Sequence, residues 1–319
     1  MLTAFASQAD RAAPTDDLRS AVWIDLYDPT ETEITAVTEA TGLRVPSNAE
    51  VSEIEASSRL VLRGNVLYLS MPLLTMEGGP RVVSAGFVLS AERLLTVRFA
   101  PSLVFDAYTT RIQSGDVPYH SGAHILIGLL GAIIDRQADA MERIHADFDK
   151  ISRRIFALAG KERAGRKIED RILRNTLAEL GHIGDQISNI REIQLGAALL
   201  LPFIETNTAD WLPAELHGGL VTLRDDIGSL RDFDEHLTNK LQFLLDATLG
   251  FINIAQNDVM KVMTIASVVG IPPVLVAGVY GMNFKNIHEY DWAWGYPYAL
   301  ALIVITALLP LIWFKWKDW

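Results

Sequence analysis

Along the first hundred residues, apolar and polar positions alternate; after that they recur at helical spacing. Residues 21–25 alternate and predict a strand. It ends at Asp28-Pro29-Thr30, a turn whose Asp or Thr can cap a helix. Residues 31–41 fit that helix, stopped by Gly42. A hairpin is expected over 58–74, turning at Arg63-Gly64-Asn65. A second joins 82–89 to 94–98 around Ser90-Ala91-Glu92. Residues 1–20 are expected to be disordered or loosely attached. Mixed strand and helix signals make this part α/β or α+β. From Ser102 the spacing is helical. Residues 120–158 are long, amphipathic and free of Pro, and 161–201 continue in that style. Pro202 and Pro213 bracket an expected break. Leu, Ile and Phe then recur at i, i+3 and i+4 over 220–251.

Two stretches are long enough to cross a bilayer. No charged residue stands between Lys261 and Lys285, or between Asp291 and Lys315, and each gap holds 23 residues. A spanning helix needs roughly 20 apolar residues. Neither gap shows the polar face expected of a core helix. Trp292, Trp294, Tyr296 and Tyr298 precede the second stretch, and Trp313, Trp316 and Trp319 follow it, as interfacial belts do. Between Leu220 and the first stretch the only weak point is Gly250, and one Gly costs about 1 kcal/mol. One continuous helix from about residue 220 to Tyr280 is therefore expected, roughly 90 Å long. About a third would lie in membrane and the remainder would form a stalk.

Composition sharpens this. The chain has 319 residues, is 50% hydrophobic and carries a net charge of −11. From Lys261 onward the charge is +1, leaving −12 on the N-terminal part. So acidic a part is a poor nucleic-acid binder. It reads as a reservoir of cation sites or as acid that aids solubility. No apolar leader opens the chain, so the N-terminal part is expected in the cytoplasm, and two spans return the C-terminus there. Lys261, Lys315 and Lys317 at the inner ends agree. There is no Cys, which removes disulfides and thiolate sites. No P-loop, Gly-x-Ser-x-Gly or His-Glu-x-x-His occurs, so neither an enzyme nor an organic cofactor is expected.

The candidate chemistry lies at the end of the first span. Gly281, Met282 and Asn283 stand there, followed by a short loop and Trp292-Ala293-Trp294-Gly295-Tyr296-Pro297. Gly281 tolerates positive φ and can let the backbone leave the helix. Asn283 can then present a neutral carboxamide. Counting from Asn257, steps of three or four select Asn257, Met260, Met263, Ser267, Ile271, Val274 and Gly278. This stripe holds no carboxylate. Neutral carboxamides accept hydrogen bonds from the water shell that Mg²⁺ gives up reluctantly. On spacing alone Met263 and Ile271 read as ordinary helix packing. Pro272-Pro273 should bend or loosen the helix.

Gly281-Met282-Asn283, the loop, the Trp-Gly-Tyr-Pro run and the C-terminal helix resemble the CorA family of divalent-cation channels. The opening strand, Pro-Thr turn and helix are similar too. That resemblance implies an α+β protomer: an N-terminal α/β cytoplasmic domain (1–119), a cytoplasmic helical region (120–219), a stalk helix (220–258), a pore-lining span (259–281), an external loop (282–294), a second span (295–315) and a cytoplasmic tail (316–319). It implies a funnel-shaped homopentamer in the inner (plasma) membrane, with self, lipid bilayer and divalent cations as partners. The function implied is influx of hydrated Mg²⁺, with Co²⁺ or Ni²⁺ also passing, gated by intracellular Mg²⁺. Gly281, Met282 and Asn283 would be the selectivity filter, and Met263 and Ile271 an apolar gate that closes by dewetting. Glu289 keeps an acidic loop position although the family's Met-Pro-Glu-Leu run is absent; Lys285 opposes it, and His288 could favour a softer ion or be a solvated loop residue. Asp225, Asp226, Asp232, Asp234 and Glu235 lie near the stalk and are candidate regulatory metal ligands. A Zn²⁺ transporter of the ZntB type shares the architecture, but ZntB-like chains tend to vary the residue that is Met282 here. A membrane-anchored sensor or scaffold without transport is the reading from another class. His120 and His124, four apart, are expected to be structural.

Overall fold

The computed structural model describes residues 1–8, 11–115, 120–159, 166–282 and 292–317. They form two compact units, Met1–Ala157 with Leu177–Leu244, and Leu158–Thr176 with Leu245–Trp319.

The first unit is built on a mixed sheet of seven strands: β1 (Leu2–Gln8), β2 (Arg11–Pro14), β3 (Trp23–Tyr27), β4 (Leu60–Arg63), β5 (Val66–Thr75), β6 (Arg81–Leu89) and β7 (Leu94–Arg98). Their order is β2-β1-β3-β7-β6-β5-β4. Only β3 and β7 run parallel, with Trp23 opposite Leu94; the other neighbours are antiparallel. Both predicted hairpins are present. The N-terminal segment, expected to be loose, is instead an edge hairpin: β1 pairs with β3, and Phe5 stacks on Trp23 at 5.0 Å. Its small side chains hid a period-2 pattern whose one large buried member, Phe5, is 1% exposed.

Between β3 and β4 lie α1 (Glu31–Thr41), α2 (Asn48–Val51) and α3 (Ala56–Arg59). Thr30 caps α1 in a reciprocal box with Glu33, and Gly42 ends it at φ 70°. Val37 of α1 covers Ile24, Leu26, Leu95 and Val97 on one face of the sheet. The opposite face carries Trp23, Met71 and Phe87 against Phe105 and Tyr108 of α4 (Leu103–Ser114), and against buried aliphatics of three long helices, α5 (Gly122–Ala159), α6 (Arg166–Thr208) and α7 (Ala214–Tyr280).

Pro202 does not end α6. It lies inside the helix, which runs on to Thr208. The lost hydrogen bond is tolerated because Leu200, Leu201 and Ile204, all within 2% exposure, hold that turn in the core. The break falls after Thr208, whose carbonyl accepts from the Trp211 and Leu212 amides. α7 begins at Ala214, six residues before the expected start, and continues for 67 residues through Gly250, Pro272 and Pro273. A final helix, α8 (Gly295–Trp316), completes the chain.

Among the described residues three helices are long and apolar enough to cross a membrane. Half of the apolar window in Arg171–Thr208 is buried within the protein, where Ile183, Ile187, Ile190 and Ile193 form a core stripe. The windows of α7 and α8, with mean hydropathy 2.1 and 2.2, are 0% and 6% buried. Those two helices expose apolar surface that the chain itself does not cover, which suits them to lipid or to other copies.

Candidate functional site

The C-terminal third of α7 displays two opposed faces. Met260, Met263, Ile271 and Val274 are 61–71% exposed, and Asn257, Ser267 and Gly278 on the same stripe are exposed as well. Ile265, Val269, Pro272, Pro273, Val276 and Tyr280 are half-buried. At 100° per residue these two sets lie about 180° apart around the helix. The stripe selected by spacing lies within the open side of the helix, which also takes in Val268, Leu275 and Val279. Its hydroxyl is turned inward: Ser267 Oγ donates to the Met263 carbonyl at 2.9 Å, and the neighbouring Thr264 does the same to Met260 at 2.8 Å. The face is therefore neutral, with no carboxylate among its members.

Past Tyr280 the helix tightens. The Gly281 amide donates to Ala277 at 2.9 Å and that of Met282 to Val279 at 3.3 Å. Gly281 is not one of the glycines with positive φ, contrary to the role expected for it. A Cβ there would lie 3.1 Å from the Ala277 carbonyl oxygen, a contact within the same turn of the chain. Asn283, Lys285, His288 and Glu289 lie outside the described residues. On α8 and just before it, Trp292, Trp294, Tyr296 and Tyr298 are exposed, as are Trp313 and Trp316, and Lys317 sits 5.2 Å over the Trp313 ring.

The candidate regulatory acids separate into two kinds. Asp225, Asp226, Asp232 and Glu235 are exposed on α7. Asp234 is 5% exposed and bound to Arg191 of α6 through Nε at 2.7 Å. Among the described residues no group of three or more acids or histidines could hold a metal ion within one chain. Ser121 caps the start of α5, its Oγ accepting from the His124 amide at 3.4 Å; the His124 Nδ1 is 2.9 Å from that Oγ and its Nε2 is 3.1 Å from Glu215 Oε1. The His120 ring meets it edge-on at 5.4 Å. This is the structural role expected of the pair.

Sequence spacing missed the ties that fix α7 in the first unit. Arg191 and Asp234 are 43 positions apart, Asp149 and Lys240 91. The Lys240 ammonium, 2.6 Å away, holds the Asp149 carboxyl below its ordinary range. No local signal reports such pairs.

Residues 19–316 match the family described as CorA-like Mg2+ transporter protein. The chain is 33% identical to the magnesium transport protein CorA of Haemophilus influenzae, covering all of both chains. Its fold is similar to that of the CorA magnesium transporter of Methanocaldococcus jannaschii, with a TM-score of 0.74 at 18% identity, covering 99% of this chain and 97% of the other. The ZntB cytoplasmic domain of Vibrio parahaemolyticus aligns with a TM-score of 0.50 at 13% identity, covering 81% of this chain and 98% of that domain. A match over nearly the whole length, joined to the open neutral face of α7 and its Gly-Met-Asn end, places this chain in the CorA-like Mg²⁺ transporter family.

Proposed function

We propose that the chain is the protomer of a homopentameric channel for hydrated Mg²⁺ in the inner membrane, both termini cytoplasmic. The carrying observation is the apolar window of α7, which is 0% buried and presents its neutral stripe opposite its half-buried side. Such a face suits copies of itself around an axis. Asn257 would stand at its inner end and Asn283 at its outer end, with Met263 and Ile271 as the apolar gate between. The carboxamides would accept from the ion's waters without stripping them. Family membership and the name borne by relatives a third identical over their whole length support Mg²⁺ as cargo; Co²⁺ or Ni²⁺ would also pass. The likeness to the ZntB domain is one of fold alone and gives Zn²⁺ no separate support.

Asp225, Asp226, Asp232 and Glu235 would act between protomers. Without intracellular Mg²⁺ their repulsion loosens the ring; with it, the ring closes. Asp234, already neutralised by Arg191, would contribute by orienting α7.

Proteoliposomes loaded with a Mg²⁺ indicator test the reading. Wild type should take up Mg²⁺, and Asn283→Ala should reduce uptake at least tenfold. Uptake of Zn²⁺ with no Mg²⁺ signal would replace Mg²⁺ by Zn²⁺ as cargo. Folded protein that moves neither ion would point to a sensor.

A further inference from the structure

α6 and α7 run antiparallel along one register. Arg191 meets Asp234, and a Cβ on Gly184 would lie 3.4 Å from Leu241 Cδ2, so each step back along α6 is a step forward along α7. The buried stripe of α6 continues through Ile183, Leu180, Thr176 and Leu173. Thr248, which that register sets beside Thr176, is also 0% exposed, and the two belong to the same unit. On this register Arg174 and Arg171 stand beside about residues 251 and 254 of α7, and Arg166 beside about residue 259. The uncharged stretch of α7 begins after Lys261. Along the helix, Arg174, Arg171 and Arg166 are therefore about 15, 10 and 3 Å short of it.

The charge of α6 changes sign at this same end. Residues 166–176 hold four basic side chains against Glu169 and Asp170, whereas the remainder holds Arg191 alone against Glu179, Asp185, Glu192 and Glu205. Cations near a helix N-terminus oppose its dipole, so helix stability does not account for them. Arg171 and Arg174 are exposed. Among the described residues the ion pairs of α6 run through Glu179, Arg191 and Glu205 instead. Exposed arginines alone name no partner; their level along α7 does. A headgroup layer adds about 5–7 Å to the apolar core on each side, and the potential of an anionic surface reaches about 8 Å beyond it. The first turns of α6 lie within that reach.

We propose that the start of α6 binds anionic phospholipid headgroups of the leaflet that α7 enters. Lys167, Arg171 and Arg174 share one face at i, i+4 and i+7 spacing. A lipid phosphodiester offers the paired oxygens that a guanidinium fork takes. This rests on α7 crossing the membrane, not on the ion it conducts.

The chain has no cysteine, so Asn175→Cys, at an exposed position beside Arg174, takes a single donor dye. The labelled full chain is placed in mixed phosphatidylcholine and phosphatidylglycerol vesicles, with a trace of one lipid or the other carrying an acceptor on an acyl chain. Energy transfer to phosphatidylglycerol should exceed transfer to phosphatidylcholine about twofold, and high salt should abolish the excess. Arg171→Gln with Arg174→Gln should bring the two to equality with melting unchanged, while Arg171→Lys with Arg174→Lys should keep most of the excess. Equal transfer to both lipids in the unsubstituted helix would overturn the proposal and favour carboxylates of a second copy as the arginines' partner. An excess that survives the glutamine pair would also overturn it, and would assign the lipid to Lys261, Lys315 and Lys317. Absence of transfer to either lipid would remove the membrane span itself, and the proposal with it.

Discussion

Arg191 on α6 grips Asp234 on α7 through Nε and Nη2, at 2.7 and 2.6 Å from the same carboxylate oxygen. The carboxylate is 8% exposed and the guanidinium 46%. Asp234 therefore acts as a clamp between two helices, unlike its exposed neighbours. Asp234→Ala should lower unfolding stability by about 2 kcal/mol, since one partner remains charged beside a buried face. Asp225→Asn combined with Asp226→Asn should leave stability within about 0.5 kcal/mol. The same double variant should weaken protection of the first unit from protease by Mg²⁺. Denaturant melts and proteolysis of the two variants would separate the roles, and equal destabilisation by both would refute the distinction.

The gate reading predicts the effect of wetting the apolar stripe. Met263→Ser and Ile271→Ser each place a hydroxyl on the open face, where the native side chains are 68% and 61% exposed. Dewetting should then fail, and Mg²⁺ flux should persist at internal Mg²⁺ that silences the wild type. Flux measured across a range of internal Mg²⁺ gives the answer. Wild-type shut-off in both variants would assign these residues to packing.

Glu50 gives a pH prediction in the first unit. A hydrogen bond from Arg44 at 2.7 Å, with the Ser47 amide at 2.9 Å, lowers its carboxyl from 4.5 to about 2. The depressed value means that the stabilisation is complete above about 4.5 and is lost as pH falls toward 2. Glu50→Ala should therefore melt below wild type at pH 6, by a few degrees at most because both partners are partly exposed. The gap should narrow as melts are repeated down to pH 3. A gap independent of pH would contradict the sign.

Gly122→Ala tests the junction between β7 and α5. A Cβ at this position would collide with the Arg93 carbonyl carbon and lie 2.5 Å from the Leu94 nitrogen. Backbone cannot swing aside as a side chain can, so a loss of about 2 kcal/mol or more is expected. Gly228→Ala, with open space around its Cβ, is the control and should be neutral or slightly stabilising. Similar melting of both variants would rule out the steric account.

Much of this architecture was legible residue by residue. The Thr30 cap, the Gly42 stop and the turn at Gly64 are local devices, and each appears where the sequence places it. The edge hairpin was not legible, because alternating small and polar residues mean little until Phe5 meets Trp23. Pro202 misled for the same reason: helix propensity at one residue yields to burial of Leu200, Leu201 and Ile204 around it. Helical period fixed which residues of α7 share a side, but not which side the chain leaves open. Nor did it show the cavity of about 440 Å³ beside α4, whose lining comes from four elements far apart in the chain.

What the sequence alone determined is what depends on neighbours within a turn or two: caps, hairpin turns, two uncharged stretches of 23 residues, and the Gly-Met-Asn end with its family likeness. Tertiary structure decided which acid is clamped, which apolar helix face is buried in the first unit, and which elements wall the cavity beside α4. The physical reason is range. Backbone propensity and periodicity act over about 5 Å along a helix. Desolvation and pairing act between residues that only the fold makes neighbours, as with Arg191 and Asp234.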